Sequence, residues 1–151
     1  MSDLISLCHF QQSAEGYCLS ACARMVLAHL GLDLAEEAIS RVLGAQEFGT
    51  PSFAVQRLVA LNLRVTYCEW SVSQLLAALR TGKPVIAFVR TAFLDHWTKD
   101  VAHAVIIVDA IENRQFSIHD PAWPTGPLAV LWDGLLAGWA EFSYRGAAIT
   151  L

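Results

Sequence analysis

The hydrophobic pattern divides the chain into a first part of helical character and a second part rich in short apolar runs. Apolar and small residues fall at helical spacing over Cys18–Leu30, and Gly31 follows where a helix commonly ends. Capping-type residues open further periodic segments. They predict helices from Asp33 to about Leu43, from Thr50 to Leu61 and from Ser71 to Arg80, with a short one over Trp132–Gly138.

The second part contains apolar runs that are typical of strands. Val and Ile dominate two of them, and the turn Glu112–Arg114 between two runs predicts a hairpin. The predicted strands are Arg64–Cys68, Val85–Val89, His103–Ala110, Gln115–Ile118 and Ala147–Leu151. Because helices come first and strands later, the pattern predicts an α+β fold rather than alternating βαβ units. We expect a single domain over residues 1–151.

The composition favours a full hydrophobic core without a membrane span. Apolar residues make up 55% of the 151 residues and charged residues 16%. The apolar stretches are far shorter than the ~20 residues that a spanning helix needs. The start Met1–Leu4 has neither a basic flank nor a long apolar core, so we expect no signal peptide and a cytoplasmic location.

Charge and cysteine spacing argue against two classes of function. The net charge is −4 and no basic run is present, whereas nucleic-acid binding needs clustered Lys and Arg. The spacing of the cysteines fits neither a zinc site nor a redox pair, so we expect no metal and no cofactor. They are Cys8, Cys18, Cys22 and Cys68.

Cys18 is the candidate nucleophile because it stands where the first helix is predicted to begin. The positive end of a helix dipole favours the thiolate, and Gly16 allows a tight approach to the helix. A free cysteine is more often a small core residue, and this alternative stays open for Cys18 alone. Cys22, one turn further, is the better candidate for plain core.

His103 is the candidate base, since it opens a buried strand that would hold its ring rigidly. Asp120 follows the partner strand of the predicted hairpin, which brings it back beside His103, where a carboxylate would orient the imidazole. As alternatives, His103 can be a core histidine and Asp120 can merely organise the Asp-Pro turn. The other histidines and the weaker carboxylate candidate are His9, His29, His96, His119 and Asp109.

Gln12 is the candidate oxyanion donor, acting together with the backbone N–H of Cys18. Gln11 is adjacent, so the assignment is open by one position, and a solvated glutamine is the ordinary alternative. Trp97 and Trp123 flank the candidate His and Asp on predicted loops, and we expect them to line a substrate groove.

At these residues the chain resembles the double-glycine leader peptidases, papain-like cysteine peptidases that process bacteriocin precursors. The resemblance runs from about Ser6 to the C-terminus. It rests on Gln12-x5-Cys18-x2-Ala21-x3-Met25, on His103 at a strand start, on Asp120-Pro121 and on Lys83-Pro84-Val85-Ile86. It implies a papain-like fold, with N-terminal helices packed on a C-terminal antiparallel sheet.

The resemblance also implies a function, a cysteine peptidase that cuts a leader peptide after Gly-Gly. Cys18 is then the nucleophile, His103 the base, Asp120 the orienting acid and Gln12 the oxyanion residue. Most members of the family are fused to an ABC exporter, which here would be a separate chain.

One residue departs from the family pattern. Leu19 stands where these peptidases usually have glycine, and we expect it to reshape the substrate cleft. Two alternative functions remain open at this point. One is a non-catalytic module that binds a leader or partner, and the other is acyl transfer or isopeptide cleavage on the same thiol.

Overall fold

The computed structural model describes residues 4–151. The first three residues, and with them most of the Met1–Leu4 start on which the absence of a signal peptide was predicted, lie outside the described residues. Within residues 4–151 the chain forms a six-stranded antiparallel sheet with helices packed on it, so the predicted α+β class is confirmed.

The sheet places the longest apolar strands at its centre. Its strands are β1 Arg64–Glu69, β2 Val85–Arg90, β3 Ala102–Ile111, β4 Gln115–His119, β5 Leu128–Leu131 and β6 Arg145–Thr150. They lie in the order β1-β6-β2-β3-β4-β5. Nearly all of β2 and residues 103–108 of β3 are buried, which explains why these stretches are continuous, largely apolar runs rather than alternating ones.

The predicted hairpin is confirmed and fixes the register that matters for the site. β3 and β4 pair antiparallel, with Ile106 opposite His119 and Ile111 opposite Gln115. The end of β4 therefore lies beside the first half of β3. Residues that follow β4 come close to residues that open β3.

The described residues form four α-helices: α1 Cys18–His29, α2 Glu36–Leu43, α3 Val72–Arg80 and α4 Trp132–Ala140. α1 packs against β3, and eight of its twelve residues are buried. Helix α3 begins with the predicted capping box, in which Gln74 N–H donates to Ser71 Oγ at 3.1 Å and Ser71 N–H donates to Gln74 Oε1 at 2.9 Å.

Two local predictions differ from the structure in detail, and one strand was missed. The capping box expected at Asp33 does not form: α2 begins at Glu36 after an extended Ala35, because the Glu36 carboxylate accepts from Ser13 N–H at 3.1 Å instead. The helix expected after Thr50 is a 3₁₀ helix, Ser52–Leu61, preceded by an extended Pro51. Strand β5 was not predicted, because four residues on a sheet edge are too few to show a period.

No helix within residues 4–151 has both the length and the apolar character that crossing a membrane requires.

Candidate active site

Cys18 is the first residue of α1, and the backbone before it is shaped by a glycine. Gly16 has φ +91°, a left-handed conformation that side chains disfavour. A Cβ at Gly16 would collide with the Glu47 carbonyl and would lie 3.0 Å from the Gly49 nitrogen. The segment 47–49 therefore packs directly on the approach to α1. The first turn of α1 carries no acidic residue, so no carboxylate of the helix itself offsets the positive end of its dipole at the thiol.

His103 is the second residue of β3 and is buried, with 6% of its surface exposed. Its Nε2 donates to Asp120 Oδ1 at 2.7 Å. The Cys18 thiol and this ring are electrostatically coupled, and because Nε2 bonds Asp120, Nδ1 is the nitrogen left to interact with the thiol. The Trp97 ring lies against the imidazole in a T-shaped contact, with centroids 4.9 Å apart.

Asp120 follows β4 directly, and its carboxylate is completely buried. Oδ1 accepts from His103 and from the Ala122 backbone N–H at 2.9 Å. Oδ2 accepts from His96 Nε2 at 2.7 Å and from Trp97 Nε1 at 2.8 Å. Four donors thus satisfy one buried carboxylate, which lets it stay ionised without water.

The electrostatics of the three side chains favour a charge-separated pair. Burial works against the ionised forms of all three, but their mutual hydrogen bonds and charges outweigh it. The pKa of Asp120 is held well below its usual range, mainly by hydrogen bonds from His103 and His96. The pKa of His103 is raised to about 9 by Asp120 and Cys18. The pKa of the Cys18 thiol is lowered by His103 against the effect of burial, which favours the thiolate, as the raised pKa of His103 favours the imidazolium.

Of the two neighbouring glutamines, the structure places Gln12 beside Cys18 in a shared cavity. The Gln12 backbone N–H donates to Pro121 O at 2.7 Å, and its Nε2 donates to Ala14 O at 3.1 Å. An amide nitrogen has two protons, so one remains for a ligand. Gln11 is exposed and bonds the Ala122 carbonyl at 3.2 Å, outside the lining of this cavity.

The cavity has a volume of about 480 Å³ and runs past the thiol. Leu19, which is only 1% exposed, lies on its apolar wall with Phe88, Ala104 and Phe142. Trp97 also lines it. Trp123 is not among the residues that line it, and its ring packs on Trp97 with centroids 5.4 Å apart.

Sequence reasoning missed the contact of His96 with Asp120. The loop that carries His96 has no period, and nothing in its sequence indicates a partner 24 positions away. A histidine next to a candidate tryptophan is the sole local signal, and it is weak. His29, by contrast, is exposed at the end of α1.

His9 and His119 form a second pair of rings close to Asp120. Their Nδ1 atoms are 2.8 Å apart, and His9 Nε2 donates to the Trp123 carbonyl at 2.7 Å. Because His9 Nε2 carries this proton, the tautomer in which both rings are uncharged has His9 Nδ1 accepting from His119 Nδ1–H. This leaves His119 Nε2 unprotonated and buried, with no hydrogen-bond partner in the described part of the chain. Burial, and after it the repulsion that a second positive ring beside His9 would meet, lower the pKa of His119 from 6.5 to about 4.

This pair predicts an acid-dependent loss of stability. The unfolded chain binds a proton at His119 from pH 6.5 downward and the folded chain only near 4, so stability falls as the pH drops through that window. We expect up to about 3 kcal/mol of this loss to disappear in His119→Asn, which keeps a donor near Nδ1 and does not titrate. Urea unfolding at several pH values between 7 and 4 measures the difference. His29→Asn is the matched control, and an unchanged decline in His119→Asn would contradict the prediction.

The other cysteines lack the position at a helix start and the interaction with His103 that Cys18 has. Cys22 is fully buried with its thiol 3.5 Å from the Ala104 carbonyl, and burial together with the charges of Cys18 and Asp120 raises its pKa well above 9. Cys8 is exposed and Cys68 half-buried. In residues 4–151 no group of three or more His, Cys, Asp or Glu side chains is arranged to hold a metal ion.

Comparison with known proteins gives one family match. The family model described as "Peptidase_C39 like family" matches residues 5–145. No curated protein matches the chain in sequence.

Solved structures match over nearly the whole chain. A Bacillus anthracis protein described as a C39-like peptidase has 13% identity and a TM-score of 0.80, with 99% of this chain and 97% of that one covered. The peptidase domain of Streptococcus ComA, a bi-functional ABC transporter involved in a quorum sensing pathway, has 18% identity and a TM-score of 0.73, with 96% of each chain covered. A double glycine motif protease from an AMS/PCAT transporter, solved with the leader peptide, has 16% identity and a TM-score of 0.62, with 97% and 91% covered. At these identities the likeness shows the fold, which is the papain-like α+β arrangement expected from the sequence.

Proposed function

Because the chain belongs to the Peptidase_C39 like family, we propose that Cys18, His103 and Asp120 act as the catalytic triad of a cysteine peptidase. The observation that carries this proposal is an imidazole that is electrostatically coupled to the thiol and also bonds a buried carboxylate, which accepts four hydrogen bonds. In this proposal residues 1–151 work as one peptidase domain.

In the first half of the reaction, the Cys18 thiolate attacks the carbonyl carbon of the scissile peptide and a C–S bond forms. The His103 imidazolium then gives its proton to the leaving amine as the C–N bond breaks. The product is an acyl-enzyme on Cys18 and a neutral imidazole. Asp120 keeps the imidazole in the orientation in which Nδ1 faces the sulfur.

In the second half, His103 takes a proton from water, whose oxygen attacks the acyl carbon. The C–S bond breaks, the acid product leaves, and thiolate and imidazolium are restored. The oxyanion of each tetrahedral intermediate would be held by the Cys18 backbone N–H, one of the first N–H groups of α1, and by the second Nε2 proton of Gln12.

The substrate that we propose is a peptide or protein with a leader ending in Gly-Gly. The support is the match to the peptidase family together with two structural relatives, one a double glycine motif protease solved with a leader peptide and the other a peptidase domain of an ABC transporter. By the same reasoning, a separate ABC exporter is the proposed partner and bacteriocin processing the proposed setting. Leu19 on the apolar cavity wall would contact the residues next to the scissile bond.

A synthetic precursor with a Gly-Gly junction tests this proposal. We expect mass spectrometry to show cleavage after the second glycine, and replacement of both glycines by valine to reduce kcat/KM by about 100-fold or more, since a methylene-scale change near the reacting bond is worth ~1–3 kcal/mol. The same reaction with added amine separates hydrolysis from acyl transfer. If the amine adduct predominates, transfer replaces hydrolysis as the function; tight binding without any product favours the non-catalytic module.

A further inference from the structure

Two histidines share the carboxylate of Asp120, and only one of them faces the thiol. His103 bonds Oδ1 and His96 bonds Oδ2, each at 2.7 Å. Since a carboxylate only accepts, the Nε2 of His96 carries a proton. The His96 side chain is 18% exposed and the Asp120 side chain is fully buried, so His96 lies between the carboxylate and solvent.

The loop that carries His96 is fixed at its base. Thr91, which is fully buried, donates its hydroxyl to the Lys99 carbonyl at 2.6 Å and accepts from Val101 N–H at 2.8 Å. These bonds close the loop on itself. The His96 ring is held from the other side by the ring of Trp123, in a T-shaped contact with centroids 4.6 Å apart. The loop that carries the His96 imidazole is therefore constrained, and it holds the ring against Oδ2 of Asp120.

We propose that His96 is a positioning residue, which fixes the plane of the Asp120 carboxylate so that Oδ1 stays aligned with His103. This inference rests on the proposed function, because alignment matters through the Cys18 and His103 pair. The bonds at Oδ1 come from His103 and the Ala122 N–H, and they leave the carboxylate free to pivot. The bonds at Oδ2 prevent the pivot.

Loss of the His96 donor has two opposing effects on the bond between Asp120 and His103, and the orientation of the carboxylate decides which is larger. Removing one donor leaves more negative charge on Oδ1, which would strengthen its bond to His103. An orphaned lone pair on a buried carboxylate is costly, however, so the group turns toward Trp97 or admits water. Hydrogen bonds weaken steeply with angle, so His103 loses more from the turn than it gains from the charge.

Two variants of His96 separate the effect of its N–H donor from the effect of its aromatic ring. His96→Phe keeps an aromatic ring against Trp123 and removes the N–H, whereas His96→Gln keeps an amide N–H near the place of Nε2. The pH dependence of iodoacetamide alkylation at Cys18, mapped by mass spectrometry, reports the thiolate without any peptide substrate. We expect His96→Phe to move this profile about one pH unit upward and His96→Gln to leave it near wild type. On a cleaved peptide, we expect His96→Phe to lower kcat about ten-fold at unchanged KM, with His96→Gln restoring most of it.

Each outcome decides the proposal. An alkylation profile in His96→Phe that coincides with wild type overturns it, and so does a His96→Gln variant that behaves like His96→Phe. Should His96→Phe fail to fold, His96→Asn takes its place, because its shorter amide does not reach Oδ2. In the wild-type protein, nitrogen NMR that finds Nε2 of His96 unprotonated at pH 7 also overturns it. A wild type that alkylates as expected but cleaves no peptide contradicts the proposed function and leaves the His96 result intact.

Discussion

The Cys18→Ala variant is expected to lose peptide hydrolysis altogether, with kcat lowered by about 10⁵-fold or more. The structure gives the reason: Cys18 is the thiol that lies at the start of α1 and whose pKa is lowered by His103. Without this thiol, no acyl-enzyme can form, and His103 has no nucleophile to activate. Product formation is measured by mass spectrometry, and alkylation at mildly acidic pH should disappear at this position.

Cys22→Ala is the matched control for that variant. Cys22 lies one turn further along α1, is fully buried, and has a raised pKa, so its removal takes away a thiol without touching the charged pair. We expect near wild-type kcat from it. Residual hydrolysis in Cys18→Ala, or equal loss in both variants, would contradict the assignment of the nucleophile.

The approach of His103 to Asp120 could be predicted because it follows from local geometry. A hairpin brings the residue after its second strand back to the opening of the first, whatever the rest of the fold does. The observed register, with Ile106 opposite His119, meets that expectation. The position of Cys18 at a helix start could also be predicted from nearby residues, since the apolar periodicity and Gly31 delimit α1.

Contacts between distant segments could not be predicted in the same way. Strand order is an example: β6, the last strand, lies between β1 and β2, and nothing in a linear pattern encodes that insertion. The bond of His9 to His119 joins residues 110 positions apart. The roles of His96 and Trp97 at Oδ2 depend on how a loop without periodicity closes at Thr91.

The two kinds of contact have different consequences for the site. The hairpin brings the imidazole beside the carboxylate, whereas the packing of α1 on β3 brings the thiol to the imidazole. The loop that carries His96 and Trp97 supplies the two donors at Oδ2, and it therefore controls how well the triad is held rather than which residues compose it. A substitution at Asp120 tests both kinds of contact at once, because its carboxylate is the point where they meet.

Asp120→Asn is expected to lower kcat by about 10³–10⁴-fold, although the side chain keeps its shape. Each carboxylate oxygen accepts two donors, so in either amide orientation an NH₂ group faces two N–H groups. The variant also removes the buried anion that raises the pKa of His103, which then falls toward its ordinary value. The imidazolium and the thiolate are both lost at neutral pH as a result. The upward shift of the Cys18 alkylation profile should be larger than that in His96→Phe.

The same variant is expected to lose about 3–5 kcal/mol of stability, because it breaks a buried, paired charge and creates donors without acceptors. Urea unfolding at pH 7 measures this loss, and kinetics on the folded fraction separates it from the loss in kcat. Asp95→Asn is the matched control, since Asp95 is exposed on the loop that carries His96. If Asp120→Asn kept kcat within ten-fold of wild type, the carboxylate would not be orienting His103. Near wild-type stability in this variant would mean that the four donors do not require a charged acceptor.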